Sequence, residues 1–312
     1  MRKNRHPFRS IQFIAIAALV SFLLAPGSRL ACAADQKTFP TPDAAMAAFI
    51  AAVQAHNTDE VVTILGPELK DFLATRDKAQ NEIDRQAFLD GSRTLKLEKN
   101  DDATTVIAYL GEDEWPFPAP LVKTPAGWKF DSQEGVQEIQ DREIGRNELA
   151  AFAICRAYVD VQMEYLSADP QDSGYLQFAQ YINSTPGKFD GLYWSNANGE
   201  DVSPIGPFAA QAAATETNRS GDAIPIYGYY FKILTAQGDA ALGGARSYVE
   251  NGHMSNGYAL VGWPAEYKVT GVATFIVNHL GIVYQKDLGT DTDRIARAMN
   301  EFNPDSTWTK IE

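Results

Sequence analysis

The most regular helical pattern in the chain lies at residues 146–166, RNELAAFAICRAYVDVQMEYL. There Phe152, Cys155, Val159, Met163 and Leu166 recur every three or four positions and so share one face of a 3.6-residue repeat. Ala150, Ala151, Ala153 and Ala157 keep the intervening turns thin, while Arg156, Asp160 and Glu164, four apart, supply one hydrated edge. The pattern predicts a buried helix, with Phe152 in its core, around which the rest of the chain is built. Just upstream, Asp131 followed by Glu134 predicts a capped helix start through Val136 and Ile139, and Gly145 predicts an interruption before the central helix.

Towards the N-terminus, Thr41, Pro42 and Asp43 combine a capping hydroxyl, a first-turn proline and an acid at the positive helix end. Met46, Phe49, Ile50 and Val53 then mark a helix to about Ala55. Shorter helices are expected over 57–65, 68–74 and 83–89, with Gly66-Pro67 as a stop. After Gly91 the period falls to two, predicting strands at 95–98, 104–110, 121–123 and 128–130. Helices followed by a meander predict a small α+β domain, whose element order resembles the nuclear-transport-factor-2-like and cystatin-like plans.

Beyond Leu166 turn signals crowd residues 169–207, with short helical islands expected at 175–182 and 208–214. Tyr175, Tyr181, Tyr193 and Trp194 predict that this long loop is packed down. Strands follow at 227–234, 257–263, 271–278 and 282–286, with turns at Asn251-Gly252, Asn256-Gly257 and Leu280-Gly281. A last helix is expected from Thr292 through Ile295, Met299 and Phe302, closed by Asn303-Pro304. The fold class is therefore α+β. An N-terminal domain of helices and a small antiparallel sheet (35–131) precedes a domain (132–312) in which the long central helix packs on a C-terminal antiparallel sheet.

The first 34 residues have the three parts of a secretory signal peptide: Arg2, Lys3, Arg5 and Arg9, an apolar run from Ile11 to Ala25, and the small residues Ala31-Cys32-Ala33-Ala34. Cleavage is expected after Ala33 or Ala34, leaving a periplasmic or secreted protein. Arg29, three residues before Cys32, lacks the aliphatic character of a lipidation signal, so Cys155 is expected to be the one cysteine of the mature chain. Removing five basic and no acidic residues from 27 Lys and Arg against 40 Asp and Glu leaves a net charge of about −18. Such a surface repels phosphate backbones and anionic headgroups, which argues against nucleic acid and peripheral membrane partners.

Six segments carry a family resemblance: WPFPAPLVK, IGRNELAAFAICRAYVD, STPGKFDGLYW, GYYFKILTAQG, NGYALVGWPAEYKVTGVATFIVN and GIVYQKDLG. In this order they resemble the bacterial exported family catalogued as domain of unknown function 2950, over residue 39 to the end. The resemblance implies an exported protein and brings no activity or functional residue with it. A second likeness covers residues 146–286. The long helix, the loop with Gly174-Tyr175 and the sheet opening at Gly228-Tyr229-Tyr230-Phe231 resemble the order of pilin and pseudopilin globular domains, which implies a sheet packed on the helix. The charged residues 133–142 stand where a pilin carries its apolar assembly segment.

Chemistry-bearing residues are sparse. Cys155 has apolar helix neighbours, which suit a buried thiol rather than a thiolate. His56, His253 and His279 show no ligand spacing, and His253 and His279 are expected in solvated turns. Asp287, Asp291 and Asp293 have oxygen-ligand spacing without the glycine and terminal glutamate of a calcium loop. Glu112, Asp113 and Glu114 read as a solvated loop, and Trp115, Phe117, Trp194 and Trp263 as core and corner packing, with an aromatic platform as the alternative. No phosphate loop, dinucleotide fingerprint, nucleophile elbow or paired C-x-x-C occurs. No catalytic, cofactor-binding or metal residue is assigned. The expected function is a non-catalytic binding or structural part of the cell envelope, with an envelope protein or glycan as partner. An envelope hydrolase using His253 with Glu or Asp is the second reading.

Overall fold

A computed structural model of the protein describes residues 36–69, 78–171, 174–185, 187–194 and 225–311. The expected signal segment with Cys32, the helix expected over 208–214 and most of that expected over 68–74 lie outside the described residues. The chain divides into two compact units, Met1–Asp141 and Arg142–Glu312.

In the first unit, α1 (Pro42–Gln54) begins where Thr41 accepts the amide of Ala44, and α2 (Thr58–Leu65) where Asn57 accepts that of Glu60. A third helix, α3 (Lys78–Gly91), leads into β1 (Lys96–Lys99), β2 (Thr105–Leu110), β3 (Trp115–Pro116), β4 (Leu121–Thr124) and β5 (Gly127–Phe130). These strands form an antiparallel sheet in the order β1-β2-β4-β5, with β3 beside β2. Alternation along β2 buries Val106, Ala108 and Leu110. The core of this unit is built on phenylalanine. The ring of Phe49 lies 5.1 Å from Phe88, 5.3 Å from Phe117 and 5.7 Å from Phe130. Such tilted pairs add about 0.5–1.5 kcal/mol each to the burial of their area.

Asp131 accepts the amide of Glu134 at the start of α4 (Ser132–Ala168), as its spacing predicts. The expected break at Gly145 is absent: the helix runs unbroken through it. Glycine inside a helix costs only about 1 kcal/mol relative to alanine, which the residues propagating on either side outweigh.

The second unit holds a five-stranded antiparallel sheet of β8 (Tyr229–Leu234), β13 (Ala259–Pro264), β14 (Ala273–Asn278), β15 (Val283–Asp287) and β17 (Thr309–Ile311), in the order β17-β15-β14-β13-β8. Phe231 and Leu260 on one face line a small cavity together with Ile154, Ala157, Tyr158 and Val161 of α4, and Tyr158 Oη reaches the Ala259 carbonyl of β13, so the long helix packs on the C-terminal sheet. On the other face Trp263 meets α5 (Thr292–Ala298), its indole N–H donating to Asp293 at 3.0 Å. Cover on both sides explains why β13 is buried along its whole length and reads as an almost continuous apolar run. Three small sets of strands complete the unit among the described residues. They are a parallel pair, β6 (Tyr181–Asn183) with β7 (Gly191–Tyr193), and the three-stranded set of β10 (Arg246–Ser247), β9 (Ala236–Gln237) and β16 (Glu301–Phe302). The last is a hairpin of β11 (Val249–Glu250) and β12 (His253–Met254) turned at Asn251-Gly252.

Two expectations about helices need correction. The terminal helix stops at Ala298, because the backbone carbonyls of Asn300 and Phe302 accept from Thr235 and Gly238, so Phe302 enters a strand beside β9. Along α4, the face towards the core is Ala151, Cys155, Tyr158, Gln162 and Tyr165. Phe152, Val159 and Leu166 are half-buried, Met163 is 48% exposed and Leu149 72%. The exposed side is thus wider than the expected Arg156, Asp160 and Glu164 edge. Hydropathy assigns Tyr158, Gln162 and Tyr165 to water, but the interior offers each a partner. Tyr158 Oη donates to the Ala259 carbonyl (3.2 Å), and Tyr165 Oη donates to that of Phe189. Gln162 Nε2 donates to Tyr158 Oη (2.9 Å) and the Ala179 carbonyl (3.0 Å), while its Oε1 accepts the Ala179 amide (2.9 Å).

Two measurements check this account. Gly145→Ala should stabilise the protein by about 0.5–1 kcal/mol in urea unfolding, since a Cβ there meets nothing within 4 Å. Gly135→Ala should destabilise it, since its Cβ would lie 2.8 Å from that of Ala119. Gln162→Leu, similar in size, should cost about 1–3 kcal/mol for each buried group it strands, and should speed hydrogen exchange at the Ala179 amide. An unchanged unfolding midpoint in Gln162→Leu would remove the network from the account of the core.

Candidate functional site

The residues singled out for their chemistry are spread through the fold and bonded into it. Cys155 is wholly buried, and burial pushes its thiol up to about 12, which disfavours the thiolate that a nucleophile needs. His56 is exposed just beyond α1. Asp287 accepts from Tyr267 Oη (3.1 Å) and the Gly289 amide (2.7 Å), Asp291 pairs with Arg294 (2.8 Å), and Asp293 holds Arg297 (2.8 Å) and Trp263. The three carboxylates therefore have separate partners, and among the described residues no three His, Cys, Asp or Glu side chains gather as metal ligands. Glu114 pairs with Lys96 at 3.1 Å on the surface.

The aromatic residues do not form one platform. Phe117 belongs to the phenylalanine core of the first unit, and Trp115 lies half-buried in β3. In the second unit Trp194 packs edge-on against Phe189 at 5.2 Å, and Trp263 lies within the core beside Tyr230.

Both histidines of the second unit are less solvated than expected: His279 lies in its expected turn but half-buried, and His253 lies in a strand. His253 lies half-buried in β12, with Nδ1 3.0 Å from Gln177 Oε1 and its ring stacked on Tyr175 at 4.5 Å. His279 is half-buried edge-on to Tyr248 and Tyr258, with Nε2 3.2 Å from an Arg246 nitrogen. Arginine can only donate, so Nε2 accepts and the ring proton sits on Nδ1, which is buried with no partner among the described residues. Burial first, and the Arg246 charge second, hold the imidazole pKa below its ordinary value.

What the fold brings together is a surface at the start of the long loop. The helix expected over 175–182 is absent, because backbone groups there bond sideways. The Phe178 amide donates to the Met254 carbonyl (2.8 Å), Ala179 is held at both ends by Gln162, and Gln180 Nε2 donates to the Gly252 carbonyl (2.8 Å). Held extended, the segment buries Gln177 and Ala179 and leaves Tyr175 60% and Leu176 70% exposed, so this part of the loop is not packed down as expected. The result is an apolar edge backed by the His253 ring. Tyr175 was visible in the sequence as one of the loop aromatics, but its stacking on a histidine far along the chain had no local signal.

The depressed His279 pKa has a sign that can be measured. Below its ordinary value of about 6.5 the unfolded chain takes up a proton there while the folded chain does not, so stability falls as pH drops towards the lower folded pKa. Urea unfolding between about pH 7.5 and 5.5 should show this loss, and His279→Asn should flatten that part of the profile. An identical slope in the variant would assign it elsewhere.

Among the described residues no helix is long and apolar enough to cross a membrane. The chain matches no curated protein and no solved structure. Residues 36–311 match the model of a family described as protein of unknown function (DUF2950), and the chain belongs to that family.

Proposed function

We propose that the protein is exported and serves in the cell envelope, periplasmic or secreted, as a binding or structural component without catalysis. The exposed edge of Tyr175 and Leu176 carries this reading. Tyr175 is stacked on His253 and Leu176 stands beside it in water, and an aromatic surface with few rotatable bonds loses little conformational entropy when a partner covers it. The committed state of Cys155, His279, Asp287, Asp291 and Asp293 supports it too, since each holds a proton, turn or ion pair that the fold uses. His253 has Nδ1 3.0 Å from Oε1 of the Gln177 amide, which orients the ring, and no carboxylate is its partner in that contact. The partner is an envelope protein or glycan, because the acidic surface disfavours nucleic acid and anionic headgroups.

Fractionation of cells producing the full chain should place it outside the cytoplasm, shortened by about 34 residues in its mass spectrum. The purified protein should sediment with isolated envelope material and cleave neither peptidoglycan, peptides nor esters, and Tyr175→Ser with Leu176→Ser should abolish sedimentation without moving the unfolding midpoint. Turnover that His253→Ala eliminates would overturn the non-catalytic reading, and a cytoplasmic, unshortened chain would overturn export.

A further inference from the structure

We propose that the groove between α5 and β16 is a saccharide-binding site that accepts a neutral sugar of one or two pyranose rings. It is built from elements other than those of the Tyr175 edge and stands independently of it. The groove is open to solvent, has a volume of about 590 Å³, and is lined by Arg294, Ile295, Met299, Asn300, Glu301, Asn303 and Trp308 among others. That volume lies within the range of about 300–1,000 Å³ typical of small-molecule sites.

Its polar groups are oriented in advance. Lys232 Nζ donates to Asn300 Oδ1 (3.0 Å) as well as to the carbonyls of Arg297 (2.8 Å) and Met299 (2.7 Å), and the Ala240 amide donates to Asn303 Oδ1 (2.9 Å). An ammonium and a peptide N–H can only donate, so both carboxamides must turn their oxygens to the protein. Their two –NH₂ groups are left as donors with no partner among the described residues. Strand alternation buries Phe302 and turns Glu301 outward, where its carboxylate supplies an acceptor without an ion-pair partner among the described residues. Trp308, half-buried with its indole N–H likewise uncommitted, forms an aromatic wall. Its position is set by the bond from its own amide to the Asp305 carbonyl (3.0 Å) and by Lys286, 5.8 Å from the ring centre.

This set selects a ligand class. Among the lining side chains Arg294 is already paired with Asp291 and Glu301 is negative, while the ammoniums beside the groove, Lys232 and Lys286, already donate to Asn300 and to Thr307, so the lining offers no unpaired cation to an anion. A purely apolar ligand would strand the amide donors and the carboxylate. A pyranose satisfies both halves. Its C–H face lies against Trp308, Met299 and Ile295, and its hydroxyls, which both donate and accept, meet Asn300, Asn303 and Glu301.

The test uses the ¹⁵N-labelled protein titrated with glucose, galactose, N-acetylglucosamine, maltose, cellobiose and chitobiose, followed by NMR. One or more of these should shift the side-chain amide signals of Asn300 and Asn303 and the indole signal of Trp308, saturably. Asn300→Asp and Asn303→Asp each keep the oxygen that Lys232 or Ala240 needs and replace the uncommitted –NH₂ donor with a charged oxygen that only accepts. Each should weaken that sugar by about tenfold or more while preserving the unfolding midpoint. Tyr175→Ser should leave the affinity unchanged. The proposal is overturned if no sugar in the panel moves these signals, if both Asp variants bind like the parent, or if Tyr175→Ser abolishes binding.

Discussion

The buried carboxamide of Gln162 is the interaction on which the C-terminal unit depends. With no exposure to water, it donates to Tyr158 and to the Ala179 carbonyl and accepts the Ala179 amide, while Tyr158 in turn donates to the Ala259 carbonyl of β13. One side chain thereby links α4, the sheet and the loop that presents Tyr175. A buried amide without partners costs about 1–3 kcal/mol per stranded group, so any other rotation of α4 against the sheet would strand several at once. Apolar contacts alone would tolerate a neighbouring rotation, in which Val159 and Met163 face inward. The polar network does not.

The same principle organises the rim of the sheet. Glu148, one turn before Ala151 on α4, accepts the amides of both Val272 and Ala273 at 2.9 Å and so ends the open backbone where β14 starts. Lys232 does the converse at the other face, its ammonium closing the carbonyls of Arg297 and Met299 where α5 gives way to β16. Charged side chains here act on backbone groups that the change from helix to strand leaves unpaired. The groove beside α5 follows from this construction, since the lysine that ends the helix also turns the amide of Asn300.

Function and scaffold compete for the same few residue types, and in this chain the scaffold takes most of those that look chemical. Cys155 fills the helix–sheet interface, and Asp293 anchors a tryptophan and an arginine. His279 sits among tyrosine rings with its charge disfavoured. The uncommitted groups lie instead on residues that carry no motif, Asn300, Asn303, Glu301 and Trp308 in one groove, while Tyr175 and Leu176 stand exposed on one edge. Amides and aromatic rings bind without being activated, which suits recognition more than bond cleavage.

Much of the fold was legible from local patterns. Thr41 and Asn57 cap the helices they precede, the apolar strand text from Tyr229 to Asp287 forms the antiparallel sheet, and the period change after Gly91 marks the passage from helices to strands. These features depend on backbone geometry and near neighbours, which a linear sequence displays directly. The inward face of α4, the extended path of residues 174–180, the strand at Phe302 and the setting of both histidines were decided only in three dimensions. Gln162 finds Ala179 17 positions away and Tyr158 finds Ala259 101 positions away. Whether a tyrosine or glutamine belongs to water or to the core depends on such a distant partner being present, and hydropathy contains no term for it.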